Sequence, residues 1–156
     1  MKKGYRILAY LLVLSLLCVG GLMAADTATK EECMAKCKEV AKVIQDSGVD
    51  TAVKAVMAPE SPYVWKDSYV YVLDLSGIVL AHPANPKLVG QTAMGFKDAE
   101  GKLLVAEMIT LAKDKGDGWV DYMWMVPGTK DIKPKETYVY RIPSQDVVVM
   151  AGIYKY

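Results

Sequence analysis

The chain contains a single histidine, His82, followed by Pro83 and Asn85. An imidazole can hydrogen-bond a carboxylate or a carbonyl, and near its ordinary pKa of about 6.5 it could do so charged. The competing reading is a structural histidine that pins a strand end to a loop. One histidine cannot make the bis-His arrangements of metal and haem sites, so neither a metal nor a cofactor is expected. Cys33 and Cys37 are four residues apart, and no histidine follows them as haem attachment would require. They read as small buried hydrophobes or, in an oxidising compartment, as a disulfide, although cysteines on one turn of a regular helix align their Cβ vectors poorly for bridging. There is no G-x-S-x-G elbow, Walker loop, H-E-x-x-H or second histidine for a triad, so an enzyme is not expected.

Tyr122 and Trp124 would share one face of a strand, as would Tyr138 and Tyr140. Aromatic rings with polar tips suit a small amphiphilic ligand, and they serve equally as core or dimer-face residues. Tyr69 and Tyr71 pose the same question with their face undecided. Lys135 and Arg141 are the cations best placed to neutralise an acid. A regular strand sends Arg141 and the Tyr138/Tyr140 pair to opposite faces, so Lys135 is the candidate and Arg141 its alternative.

These residues need elements to hold them. Thr29 and Glu32 form a capping box, and Cys33, Cys37, Val40, Ala41 and Ile44 follow at helical spacing, which predicts a helix over about 30–45. Gly48 stops it, and Asp50 is expected to cap a second short helix reaching Met57. Residues 69–73 and 78–82 read as a hairpin around the turn 74–77. After a loop carrying Pro83, Pro86, Gly90 and Gly95 comes a third helix over about 102–115, then strands near 119–126, 137–142 and 147–154. Short connections make consecutive strands antiparallel neighbours. The expected fold class is therefore α+β, a five-stranded antiparallel sheet with the long N-terminal helix on one face and the loop and third helix covering the other. A ligand would sit between the sheet and that cover.

At 156 residues, 53 % hydrophobic and 24 % charged, the chain suits one globular domain. Lys2, Lys3 and Arg6 precede nineteen uncharged residues, 7–25, that end in Met23-Ala24-Ala25. This is the order of a signal peptide, and the stretch is also just long enough for an uncleaved anchor in the inner membrane. In either case residues 26–156 form a single domain in the periplasm. Without the leader's three basic residues, 16 Lys+Arg face 18 Asp+Glu, a net −2 with no basic stripe, so no nucleic-acid partner is expected.

The run Tyr63-Val64-Trp65-Lys66-Asp67-Ser68-Tyr69, then YVLDLSGIVLAHPANPKLVGQ (71–91), KDAEGKLLVAEM (97–108), GDGWVDYMW (116–124) and VVVMAGIY (147–154), resembles the single Cache domains of bacterial sensors. The resemblance spans essentially all of residues 26–156. It implies a PAS-like extracytoplasmic sensor fold of chemotaxis and signal-transduction proteins, binding small molecules, often short organic acids, beside the sheet. It also implies pairing through the N-terminal helix as a homodimer. With the sequence ending at Tyr156 straight after the last strand, the expectation is a sensory module that feeds a separate membrane sensor or transporter. The expected ligand-binding set is Trp65, Tyr71, His82, Tyr122, Trp124, Lys135, Tyr138 and Tyr140. A ligand-free protein-interaction domain, or a Cache domain for amino acids or amines, is the alternative. The leader generates a prediction: protein recovered from the periplasmic fraction should begin near Ala25 or Asp26 on N-terminal sequencing, and membrane-bound protein retaining Lys2 would mean an anchor instead.

Overall fold

Thr29 opens the first helix of the computed structural model, which describes residues 26–143 and 145–156; the expected leader lies outside them. Its hydroxyl accepts from the Glu32 N–H at 3.2 Å, and the Glu32 carboxylate accepts from the Thr29 N–H at 2.9 Å. This reciprocal capping box starts α1 (Lys30–Ser47), whose buried residues Cys33, Cys37, Val40, Ala41 and Ile44 are the ones its periodicity predicts. Gly48, at φ +85°, ends α1 and at once opens α2 (Val49–Met57). Asp50 therefore lies in the first turn of α2 and does not cap it, because a one-residue joint leaves no extended chain at that position.

Six antiparallel strands follow: β1 (Val64–Trp65), β2 (Ser68–Asp74), β3 (Val79–Ala81), β4 (Asp117–Met125), β5 (Ile132–Arg141) and β6 (Val147–Tyr154). Their order is β1-β2-β6-β5-β4, with β3 also paired to β2. The strand beyond the five expected is the two-residue β1, folded onto β2 through Lys66 at φ +47°. β5 starts five residues before its expected beginning. Pro134 lies within this extension, opposite Met123 near the strand's start, and its carbonyl accepts from Lys155 N–H at 2.9 Å.

Strand alternation gives the sheet two apolar faces. Val70, Val72, Val149, Ala151 and Tyr138 pack against α1 and α2. Tyr71, Leu73, Val148, Met150 and Val139 pack against α3 (Leu104–Lys115) and the loop before it. That cover is fastened along two edges. On one, Gly90 and Ala93 donate to the carbonyls of Val79 and Gly77, and Val79 donates to Gln91. On the other, the Asp98 carboxylate accepts from Glu100 and Lys102 of its own turn and, at 3.0 Å, from Met123 of β4. These bonds hold the Asp98 carboxyl below the usual carboxylate range, the one to Met123 contributing most. Lys30, Glu136, Lys155 and Asp121 form an ion-pair network that joins the start of α1 to β5, β4 and the residue after β6.

Cys33 and Cys37 are free thiols with no exposed surface, so the disulfide alternative is not the arrangement found. Burial pushes the Cys33 thiol up to about 11 and the Cys37 thiol well above its ordinary value. Both therefore act as core packing. Reductant should leave the melting temperature unchanged, and each Cys→Ala change should cost roughly 1 kcal/mol of lost burial in denaturant unfolding.

Candidate ligand-binding site

The register across β4, β5 and β6 places Tyr122 opposite Lys135 and Lys135 opposite Tyr154, a row of three on the α3 side of the sheet. β2 adds Tyr69 and Tyr71, two residues apart and so on that same face. Between this row and the cover lies a cavity of about 30 Å³ whose aromatic wall is Tyr69, Tyr71, His82, Tyr122 and Trp124. Its apolar end is closed by Leu73, Phe96, Leu104 and Val105. Room for about two waters is all that this volume provides. Tyr69, His82, Leu88 and Trp124 also line an open vestibule of about 230 Å³, bounded by Ala84 and Asn85 on one side and by residues 125–128 on the other.

His82 follows β3 directly and is 7 % exposed. Its ring lies 5.1 Å from that of Tyr69 and 5.3 Å from that of Tyr71. The Asn85 N–H donates to His82 Nδ1 at 3.0 Å, which assigns the ring proton to Nε2. Burial and the nearby Lys135 lower the imidazole to about 4, so His82 is neutral at physiological pH and has Nε2–H to offer. Tyr122 Oη and Thr137 Oγ1 are hydrogen-bonded at 2.8 Å. Burial raises the pKa of the Tyr71 and Tyr122 phenols, which keeps them as neutral hydroxyls.

Lys135 is only 2 % exposed. Its ammonium donates to Tyr69 Oη at 3.3 Å and stands 4.5 Å from the Tyr69 ring and 4.7 Å from the Tyr154 ring. Among the described residues it forms no ion pair. Burial works against the charge, and the Tyr69 hydroxyl oxygen that accepts from it, with the two rings beside it, works in its favour. Among the described residues no lysine or arginine lines the cavity itself, and this ammonium, set behind Tyr69, is the positive charge beside it.

Of the expected set, Tyr71, His82, Tyr122 and Trp124 converge on the cavity and Lys135 stands behind it. Trp65, Tyr138 and Tyr140 do not join them. Tyr138 and Tyr140 alternate with Thr137 and Val139 and so face the α1 side, where Tyr138 donates to Asp117 Oδ2 at 2.5 Å. Trp65 packs against that same α1-side core because β1 adds to the edge of β2. Arg141 shares the face of Lys135 but sits at the far end of β5, in a surface groove with Asp74 and Asp146. The expected set omits Tyr69, Thr137 and Tyr154; strand parity, which sets Tyr69 beside Tyr71 and Thr137 beside Lys135, was the available signal. Nothing periodic marks Phe96 in the cover loop. No cluster of three His, Cys, Asp or Glu side chains among the described residues could hold a metal ion.

Residues 29–155 match the Single Cache domain 2 family. The chain belongs to that family. Its Cache domain is 32 % identical over 88 residues to the methyl-accepting chemotaxis protein McpP of Pseudomonas putida, covering 56 % of this chain and 16 % of the relative. The chain thus spans less than a fifth of that relative's length. A solved periplasmic sensor domain of a chemotaxis protein superposes with a TM-score of 0.63 at 28 % identity, over 80 % of this chain and 88 % of the other. A second structure, described as the structural basis for carboxylic acid recognition by a Cache chemosensory domain, gives a TM-score of 0.70 at 26 % identity, over 80 % and 91 %. This is a periplasmic sensor domain of the kind membrane receptors carry, and it is not itself catalytic.

The depressed pKa of His82 makes stability pH-dependent. The unfolded imidazole takes its proton near pH 6.5 and the folded one only near 4, so this contribution is complete above about 6.5 and is lost as the pH falls towards 4. The difference in unfolding free energy between wild type and His82→Gln should shrink by roughly 3 kcal/mol from pH 7 to pH 4 in chemical denaturation.

Proposed function

We propose that the domain binds a short monocarboxylate of two to four carbons and passes its occupancy to a signalling or transport partner. The observation that carries this reading is Lys135, a buried ammonium with no carboxylate within reach, set against the wall of an aromatic cavity. A buried cation costs several kcal/mol unless it is paired, and a carboxylate in the cavity would supply the missing counter-charge. The hydroxyl of Tyr69, which accepts from Lys135 and keeps its own proton to give, and the Nε2–H of His82 offer donors to its oxygens. Leu73, Phe96 and Leu104 offer an apolar end to its alkyl group. A cavity with room for about two waters holds such an acid only tightly, and in this reading binding moves the side chains between cavity and vestibule outwards. The small volume favours the short end of the series. The carboxylic-acid recognition described for one structural neighbour supports the same ligand class.

The periplasmic domain should be titrated with acetate, propionate and pyruvate in a thermal-shift assay. At about a hundred times the dissociation constant, linkage gives ~2.7 kcal/mol, or roughly 8 to 13 °C for a domain of this size. Lys135→Met should abolish the shift while the protein stays folded, and the exposed control Lys42→Ala should retain it. A shift with amino acids or amines but none with short acids would sink the carboxylate; no shift with any small molecule would point to an interaction domain.

A further inference from the structure

A lysine side chain has many rotamers, and holding one of them beside a ligand requires a mould. β6 supplies it. At Gly152 an added Cβ would stand 2.8 Å from Lys135 Cε and 2.7 Å from the Glu136 carbonyl oxygen, closer than real Cβ atoms come, and it would also collide with Thr137 Oγ1. The missing side chain is what lets Lys135 fold across the strand. Two residues on, and so on the same face, Tyr154 sets its ring 4.7 Å from the ammonium while Tyr69 of β2 sets its own at 4.5 Å. Tyr154 is buried and is fixed in turn by its hydroxyl, which donates to the Met125 carbonyl at 2.8 Å.

We propose that Gly152 and Tyr154 are positioning residues for anion recognition: Gly152 clears the path of Lys135, and Tyr154, with Tyr69, cages the ammonium at the cavity wall. This rests on the carboxylate reading of the site and says how the site tells an acid from its uncharged isostere. The two rings replace part of the hydration that burial removes, without spending the charge on a fixed carboxylate. Its field therefore stays available to a ligand. Removing one ring frees the lysine to other rotamers and weakens the desolvated cation–π contact, an effect worth roughly tenfold to thirtyfold in acid affinity.

The test is calorimetric titration of the wild type and variants with propionate and with propionamide. The wild type should prefer propionate by about tenfold or more. Tyr154→Leu should lose about that factor for propionate and none for propionamide, whereas Tyr154→Phe, which keeps the ring but gives up the bond to Met125, should retain most of the discrimination. Gly152→Ala should behave as Tyr154→Leu, and the two Tyr154 variants decide the matter even where Gly152→Ala does not fold. A Tyr154→Leu protein that binds both ligands more weakly by one common factor, or that keeps wild-type propionate affinity, overturns the cage. If that happens while Lys135→Met still abolishes propionate binding, the carboxylate reading survives alone. A wild type that binds no propionate overturns both.

Discussion

An ammonium withdrawn from water keeps its charge only where something replaces its hydration, and this domain meets that demand at Lys135 without an acidic side chain. The replacement is aromatic. Tyr69 comes from β2 and Tyr154 from β6, while Tyr122 of β4 stands opposite Lys135 in register. One side chain on β5 thereby makes demands on its two neighbouring strands and on β2 beyond them. The glycine at 152 and the run of tyrosines on the α3 side of the sheet answer to that one charge, which also adds to the burial that lowers the pKa of His82.

The two faces of the sheet divide the remaining tasks. The α1 side is a mainly apolar interface of small, β-branched and aromatic residues, with two inert thiols packed in it. The α3 side is less completely filled: its tyrosines keep polar atoms turned inwards, and its cover is a loop together with the shorter helix α3. Apolar burial on the first face supplies stability that the second face can spend on a polar cluster. The network of Lys30, Glu136, Lys155 and Asp121 crosses between α1 and the sheet, and the shared Lys30 and Lys155 hold the Glu136 carboxyl down at about 2.

Helical spacing and the capping box made α1 legible almost to the residue, because Thr29, Glu32 and the Cys33-to-Ile44 stripe are local signals. Strand alternation made the sheet legible but was not followed far enough. Lys135 and Tyr138 are three apart on one strand, so they cannot face the same pocket, and the register with Tyr122 shows which of them does. Trp65 misled because a two-residue strand carries no period. The cover from 82 to 103 was illegible for a different reason: its course depends on Asp98 reaching the Met123 N–H and on backbone bonds to residues 77–79, contacts between segments far apart in sequence or without periodicity.

The Asp98 bond to β4 also fixes the direction in which the domain can breathe. A sheet's last strand exposes unpaired backbone groups that invite another chain to add to it. On β4 the Asp98 carboxylate takes the Met123 N–H, and the Lys102 ammonium takes the Asp121 carbonyl. Lifting the cover from this side would bare an adhesive border and break a charge-assisted bond at once. The opposite side of the cover is stitched to residues 77–79 by main-chain bonds. What stays unstitched is the gap between Asn85 and Gly128, across which the vestibule opens. The cover therefore works as a flap sewn along two borders, and any solute reaching the tyrosines passes through the third.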